Sequence, residues 1–220
     1  MYEDQQTTNV VALKEAAFAR RPDSIRPLLV VIDIQREYIE HGRPLCLEEI
    51  EKCLYRCARV LRHARENDWD IAHVMWRQKG QLFNESQLFS DLIQGFHPHG
   101  SERVFVKSAA SAYSNSEFAA MMDMRGGDET YLIGFQGPCG CLATLVDGFS
   151  RGHRLSFVAD ASSTQRTSDA DEASAHKQLV EIARQYACVT TTDYVTSLAG
   201  AIMDTTGGVS QVYADRGLRW

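Results

Sequence analysis

An apolar run from Thr130 to Phe135 stops dead at a turn rich in glycine and proline, Gly134-Phe135-Gln136-Gly137-Pro138-Cys139-Gly140-Cys141-Leu142-Ala143-Thr144. A buried strand that meets Gly and Pro and then a helix, opening at or near Pro138, is half of a strand-helix-strand unit. Such a junction aims backbone N–H groups and the positive end of a helix at whatever sits above the sheet, a place to hold developing negative charge. Two more apolar runs end in charge, Val30-Val31-Ile32-Asp33 and Val104-Phe105-Val106-Lys107.

The same alternation runs through the chain. Strands are expected at Leu28 to Asp33, Ile71 to Trp76, Val104 to Lys107, Thr130 to Phe135, Leu155 to Asp160 and Cys188 to Thr192. Between them helices are expected from Leu47 to Asn67, from Ser116, from the Pro138 turn to Ser150, from Asp169 to Gln185 and from Asp193 to Met203. Strands alternating with helices predict an α/β fold, Rossmann-like, three layers deep, on a six-stranded parallel sheet. Its ligands bind beyond the carboxyl ends of the strands. Residues 1–27 read as an N-terminal arm with a short helix around Val10 to Arg20, residues 28–203 as one domain, and 204–220 as a tail. The polar stretch Arg77 to Gly100 is an excursion with a short helix, of the kind that carries substrate specificity.

Composition excludes several classes. A net charge of −6 and no basic run argue against nucleic acid as a partner. No apolar stretch reaches the roughly 20 residues of a membrane span. Met1-Tyr2-Glu3-Asp4 lacks a signal-peptide pattern, so the cytoplasm is the expected location. The six cysteines have no Cys-x-x-Cys spacing and read as free thiols, with Cys53 and Cys57 packing from one helix face. No histidine stands at ligand spacing near Asp33, and His97-Pro98-His99 reads as loop surface, so no metal is implied. Gly-x-Gly-x-x-Gly and Gly-x-Ser-x-Gly are both missing, which argues against dinucleotides and a serine elbow. No cofactor is expected.

The chemistry falls on the three strand ends. Burial raises the pKa of a carboxyl such as Asp33 and a neighbouring ammonium such as Lys107 lowers it, a balance that lets an acid pass protons near neutral pH. Taken singly, Asp33 is equally a turn cap and Lys107 a salt-bridged lysine. Cys139 and Cys141 stand where a helix N-terminus favours thiolate, yet they cannot both face one point.

These pieces resemble the isochorismatase-like hydrolase superfamily, which includes nicotinamidases and N-carbamoylsarcosine amidases. The likeness runs from Arg26 to Leu198 through Leu29-Val30-Val31-Ile32-Asp33-Ile34-Gln35, Glu102 to Lys107 with Ser111-Ala112-Tyr113, Gly134 to Thr144, Val158-Ala159-Asp160-Ala161 and Thr191-Thr192-Asp193. The resemblance implies a site of Asp, Lys and usually Cys. The cysteine falls six residues after the strand-end glycine and four before a helix threonine, and here that slot holds Gly140. Isochorismatases also carry glycine there. The resemblance implies substrate contacts from Gln35, Trp76, Gln78, Tyr113 and Gln136, and a homo-oligomer, dimer or tetramer. The arm and the helix containing Cys53 are candidate contact surfaces. Two departures stand out: Gln136-Gly137-Pro138 replaces the Tyr-Ala-His of isochorismatases, and Lys79 to Gly95 has no arginine.

Three functions follow. In the first, Asp33 protonates the methylene of an enolpyruvyl ether such as isochorismate, Lys107 holds acid and substrate, Gly140 gives room and a backbone donor, and no covalent intermediate forms. In the second, Cys139 is the nucleophile of an amide or carbamoyl hydrolase. In the third, the chain binds a small molecule without turning it over.

Overall fold

The computed structural model describes residues 26–126 and 129–198. The N-terminal arm with its expected helix, the tail and the end of the last expected helix lie outside them. Six strands, β1 (Leu28–Ile32), β2 (Asp70–Trp76), β3 (Arg103–Lys107), β4 (Thr130–Gly134), β5 (Leu155–Ser162) and β6 (Cys188–Thr190), form one sheet in the order β3-β2-β1-β4-β5-β6. All five pairings are parallel. The helices described are α1 (Ile50–Glu66), α2 (Ser116–Arg125), α3 (Leu142–Ser150), α4 (Glu172–Ala183) and α5 (Thr192–Ser197). This is the expected three-layer α/β architecture.

Every residue of β1 is buried because helices cover both faces, which is why the strand reads as a continuous apolar run. Leu29 and Val31 pack in one core with Cys53, Cys57, Val60 and Leu61 of α1. Leu28, Val30 and Ile32 pack in the other with Phe118 of α2, Leu145 of α3 and Leu179 of α4. Burying each such leucine, valine or phenylalanine stabilises the fold by about 1.5–3 kcal/mol. Helix starts follow side-chain chemistry: Asn115 Oδ1 accepts from Phe118 N at 2.9 Å, and Asp171 Oδ1 from Ser174 N at 2.7 Å.

From β1 the chain steps outward to β2 and β3 on one side, and β4 returns on the other side of β1. The crevice between the carboxyl ends of β1 and β4 is therefore the switch point where ligands of such sheets bind. Asp33 lies just past β1 and the Gly/Pro turn just past β4.

The structure refines several expectations. The helix after β4 opens near Pro138 as expected, but its first turn, Gly137–Cys141, is wide, closed by Cys141 N donating to Gln136 O at 3.2 Å, and the α-helical part, α3, starts at Leu142. Proline removes a donor and glycine stabilises no regular turn there, and wide turns of this kind concentrate at functional sites. The short helix expected in the excursion after β2 is a single 3-10 turn, Leu88–Ser90. The apolar stripe of α1 is buried on the sheet, while Tyr55 of the same helix is exposed. Its outer residues Arg56 and Arg59 pair with Asp160 and Asp193 at 3.4 and 2.9 Å.

Candidate active site

Asp33 is 1 % exposed, and its backbone has a positive φ of 47° that turns the chain sharply at the strand end. Its N–H donates to Val74 O at 2.8 Å and its carbonyl accepts from Gln35 N at 2.7 Å, so neighbours on both sides hold the turn. Lys107 is equally buried, and its Nζ lies 2.5 Å from Asp33 Oδ2 and donates to Ala110 O at 2.7 Å. The ammonium also sits over the Trp76 ring, 4.8 Å from its centroid, a favourable place for a cation. Trp76 in turn stacks on Phe83 at 5.9 Å. Asp33 Oδ1 is buried and has no hydrogen-bond partner among the described residues.

Burial pushes the Asp33 carboxyl up, Lys107 pulls it down, and burial wins: its pKa stands at about 6. A carboxylic acid so placed is substantially protonated just below neutral pH. Once it has given up its proton, the adjacent ammonium stabilises the carboxylate.

The turn after β4 faces this pair. Gly134 has φ +123°, and a Cβ there would fall 1.9 Å from the Ile32 carbonyl oxygen, so only glycine lets β4 approach β1 at this point. At Gly140 a Cβ would fall 2.9 Å from Asp33 Oδ2 and 2.8 Å from Phe135 O. The position that the motif spacing singled out thus points straight at the acid. Thr144 locks it from behind: its hydroxyl donates to Gly140 O at 2.7 Å and accepts from Ala112 N at 2.9 Å, tying the turn to the loop that follows Lys107. The peptide bond between Phe135 and Gln136 is cis.

The two cysteines separate as their spacing requires. Cys139 is exposed. Cys141 is fully buried, with its sulfur donating to Gly134 O at 3.4 Å. The helix terminus does not make either a thiolate. Burial pushes the Cys139 thiol up, with Lys107 opposing and Asp33 adding to the rise. Burial likewise pushes Cys141 to about 12.

The implied substrate contacts divide. Trp76 walls the site through Lys107. Gln136 is half-buried in the turn, where its Nε2 reaches Gln165 Oε1 at 3.3 Å. Gln35 is buried, with Nε2 donating to Trp76 O at 2.8 Å and Ser90 O at 2.6 Å and Oε1 accepting from Trp76 N at 2.8 Å. Its amide fastens β1 to the end of β2 and to the excursion. Gln78 Nε2 donates to Leu82 O at 2.9 Å and shapes the excursion's first turn. Tyr113 is buried, its hydroxyl 2.8 Å from His153 Nδ1 and its ring packed on Phe118.

One site residue escaped the sequence reading. Tyr38, on the 3-10 turn Arg36–Tyr38, is 3 % exposed and packs edge-on against Phe135 at 5.6 Å. Burial, with Asp33 nearby, pushes its phenol well above the usual range. Its signal was an aromatic residue five positions after the acid, on the turn the acid begins. Among the described residues there is no cluster of three or more His, Cys, Asp or Glu side chains able to hold a metal ion. Nor is any helix among them long and apolar enough to cross a membrane.

The chain is similar to known proteins over most of its length. Residues 27–194 match the model of the isochorismatase domain. A maleamate amidohydrolase of Pseudomonas putida is 26% identical over 183 residues, covering 76% of this chain and 83% of that protein. Nicotinamidase 3 of Arabidopsis thaliana is 24% identical over 152 residues, 66% of this chain and 77% of that protein. Among solved structures, an isochorismatase from Pseudomonas putida superposes with a TM-score of 0.70 at 25% identity, covering 82% of this chain and 96% of that one. With its acid, lysine and wide turn gathered at the switch point of the sheet, the chain belongs to the isochorismatase domain family of hydrolases.

Proposed function

We propose that this protein hydrolyses an enolpyruvyl (vinyl) ether by acid catalysis, with Asp33 as the acid and no covalent cysteine intermediate. The observation that carries this reading is the fit at Gly140. Where a nucleophile would stand there is no side chain, and a Cβ would collide with the carboxyl it was meant to serve. A vinyl ether needs a proton donor and a water, not a thiol. The Asp33 proton goes to the methylene carbon, forming its C–H bond and leaving an oxocarbenium-like centre beside the ether oxygen. Water adds to that centre and returns a proton to Asp33. The hemiketal then breaks its bond to the ether oxygen, the hydroxyl proton passing to the leaving alcohol, and pyruvate departs.

The buried, unpartnered Asp33 Oδ1 supports a catalytic role over simple binding, since a desolvated carboxyl oxygen with nothing to bond has a structural cost of about 1–3 kcal/mol and no structural benefit. The similarity to a maleamate amidohydrolase and the exposure of Cys139 favour the second reading, an amide hydrolase acting through that thiol. The upward shift of the thiol weighs against it. Release of pyruvate from enolpyruvyl ethers, lost in Asp33→Asn and kept in Cys139→Ala, separates the two. The setting we propose is a homo-oligomer of the cytoplasm with a small-molecule substrate and no cofactor.

A further inference from the structure

The strand that carries the acid leaves its neighbour at the acid itself. In a parallel ladder a residue donates to one residue of the adjacent strand and accepts from the residue two further along. Asp33 N donates to Val74 O at 2.8 Å, so a regular ladder would continue with Trp76 N donating to Asp33 O and Gln35 N donating to Trp76 O. The two β1-side partners bond each other instead. With φ at 47° Asp33 turns the chain, and Gln35 N donates to Asp33 O at 2.7 Å.

The side chain of Gln35 restores what its backbone gave up. Its Oε1 accepts from Trp76 N and its Nε2 donates to Trp76 O, both at 2.8 Å, the two bonds that the strand would have made. A primary amide carries the donor and the acceptor of a peptide group, so glutamine can stand in for one. The same nitrogen also donates to Ser90 O at 2.6 Å. One buried side chain thus fixes the last residue of β2 and the excursion that returns beside it.

Trp76 pairs in register with Lys107, and its ring lies over the Lys107 ammonium, backed by Phe83. Trp76 is half-buried while Lys107 and Asp33 are fully buried, so the indole lies between the ion pair and solvent. We propose that Gln35 is a positioning residue: by completing the ladder that Asp33 leaves, its amide keeps the Trp76 ring over the Asp33–Lys107 pair and water away from the acid. The assignment takes Asp33 as the acid of the ether reading above. Without the amide, Trp76 N, Trp76 O and Ser90 O lose their partner and the end of β2 is freed. Water then reaches Asp33, whose carboxyl burial holds up against the pull of Lys107.

The test reads Asp33 with no substrate present. Full-length protein labelled with carbon-13 at the aspartate carboxyls is titrated by NMR, the Asp33 signal being the one that Asp33→Asn removes. In Gln35→Met its midpoint is expected to fall from about 6 toward the ordinary 3.8, by about one pH unit or more. Trp76→Leu, which keeps the backbone groups that Gln35 binds, should lower it likewise. Lys107, Tyr38, Cys139 and Cys141 are the titratable groups around Asp33, and neither variant alters them. For an enolpyruvyl ether, kcat/KM at pH 7 should fall about tenfold for each pH unit that the midpoint falls. A midpoint that holds or rises in folded Gln35→Met overturns the assignment; if that variant does not fold, the same result in Trp76→Leu overturns it. Lowered midpoints in a protein whose wild type turns over no such ether support the positioning role and overturn the ether reading alone.

Discussion

A Cβ placed on Gly140 would lie 2.9 Å from Oδ2 of Asp33. The acid therefore fills the space in which a cysteine hydrolase would set its nucleophile. The same Oδ2 is held by Lys107, so it cannot swing aside without breaking a buried ion pair.

Gly140→Ala is expected to fold but to displace Asp33 or distort the turn, cutting kcat by about 100-fold, the scale of a small misplacement at the reacting centre. Gly140→Cys should fail in the same way and should not gain amidase activity. Steady-state assays on an enolpyruvyl ether and on amides of aliphatic and aromatic acids check both. Amidase activity in Gly140→Cys would show that the slot is open after all.

The pH dependence has a definite sign. The acid must carry its proton to act, and its pKa stands at about 6, so kcat/KM for an ether is expected to fall tenfold per pH unit above that value. A reaction in which Asp33 served as base for Cys139 would instead rise through the same range. A profile from pH 5 to 9 on one substrate distinguishes the two slopes.

How much of this was legible in the sequence depends on what each residue does locally. The apolar runs that become β1, β2 and β4 announced themselves because both faces of each are buried. Asp33 and Lys107 were legible because a charge that ends such a run has nowhere to go but the edge of the sheet. Gly140 was legible only through the resemblance, which implies a nucleophile slot at its spacing. The wide turn was not, since Gly137-Pro138-Cys139-Gly140 suits the start of an ordinary helix equally well until Gln136 O is seen to accept from both Cys139 N and Cys141 N. Where Gln35 and Tyr113 would bond was not legible, because a polar group near a site and one that braces it have the same local sequence. Only tertiary partners, the Ser90 carbonyl for one and His153 for the other, tell them apart. Tyr38 was hidden because its place beside Phe135 of the turn exists only once the chain has folded.

Cys139 should be dispensable. Cys139→Ala is expected to keep kcat/KM for an ether within about threefold, because no step of the ether reaction uses the thiol. Iodoacetamide should label it slowly at neutral pH and faster only as the solution turns strongly alkaline, because burial holds the thiol up. Rapid labelling below pH 7 would reveal a poised thiolate and turn attention to amides.

Lys107→Met should couple stability to pH. In the wild type the raised Asp33 pKa contributes stability that is fully present below its unfolded value of 3.8 and lost as pH rises through about 6. Removing the ammonium raises that pKa further, so the variant should lose more stability between pH 6 and pH 8 than the wild type does. Breaking the buried pair is expected to cost about 3–5 kcal/mol at alkaline pH, where Asp33 is left charged and alone. Urea denaturation at pH 5 and pH 8 gives both numbers.

Thr144→Val leaves Gly140 O and Ala112 N without their partner at nearly constant volume. Each orphaned group is expected to cost about 1–3 kcal/mol, and kcat should fall with the loosened turn. Chemical denaturation alongside an ether assay reads both effects.

The most direct test is to hydrolyse an enolpyruvyl ether in D2O and examine the pyruvate before its methyl group exchanges. Proton delivery from Asp33 to carbon predicts one solvent deuterium in that methyl group, turnover that survives alkylation of Cys139, and complete loss in Asp33→Asn. Failure of the wild type to release pyruvate from any such ether, together with amide hydrolysis that disappears in Cys139→Ala, would contradict the account at its centre.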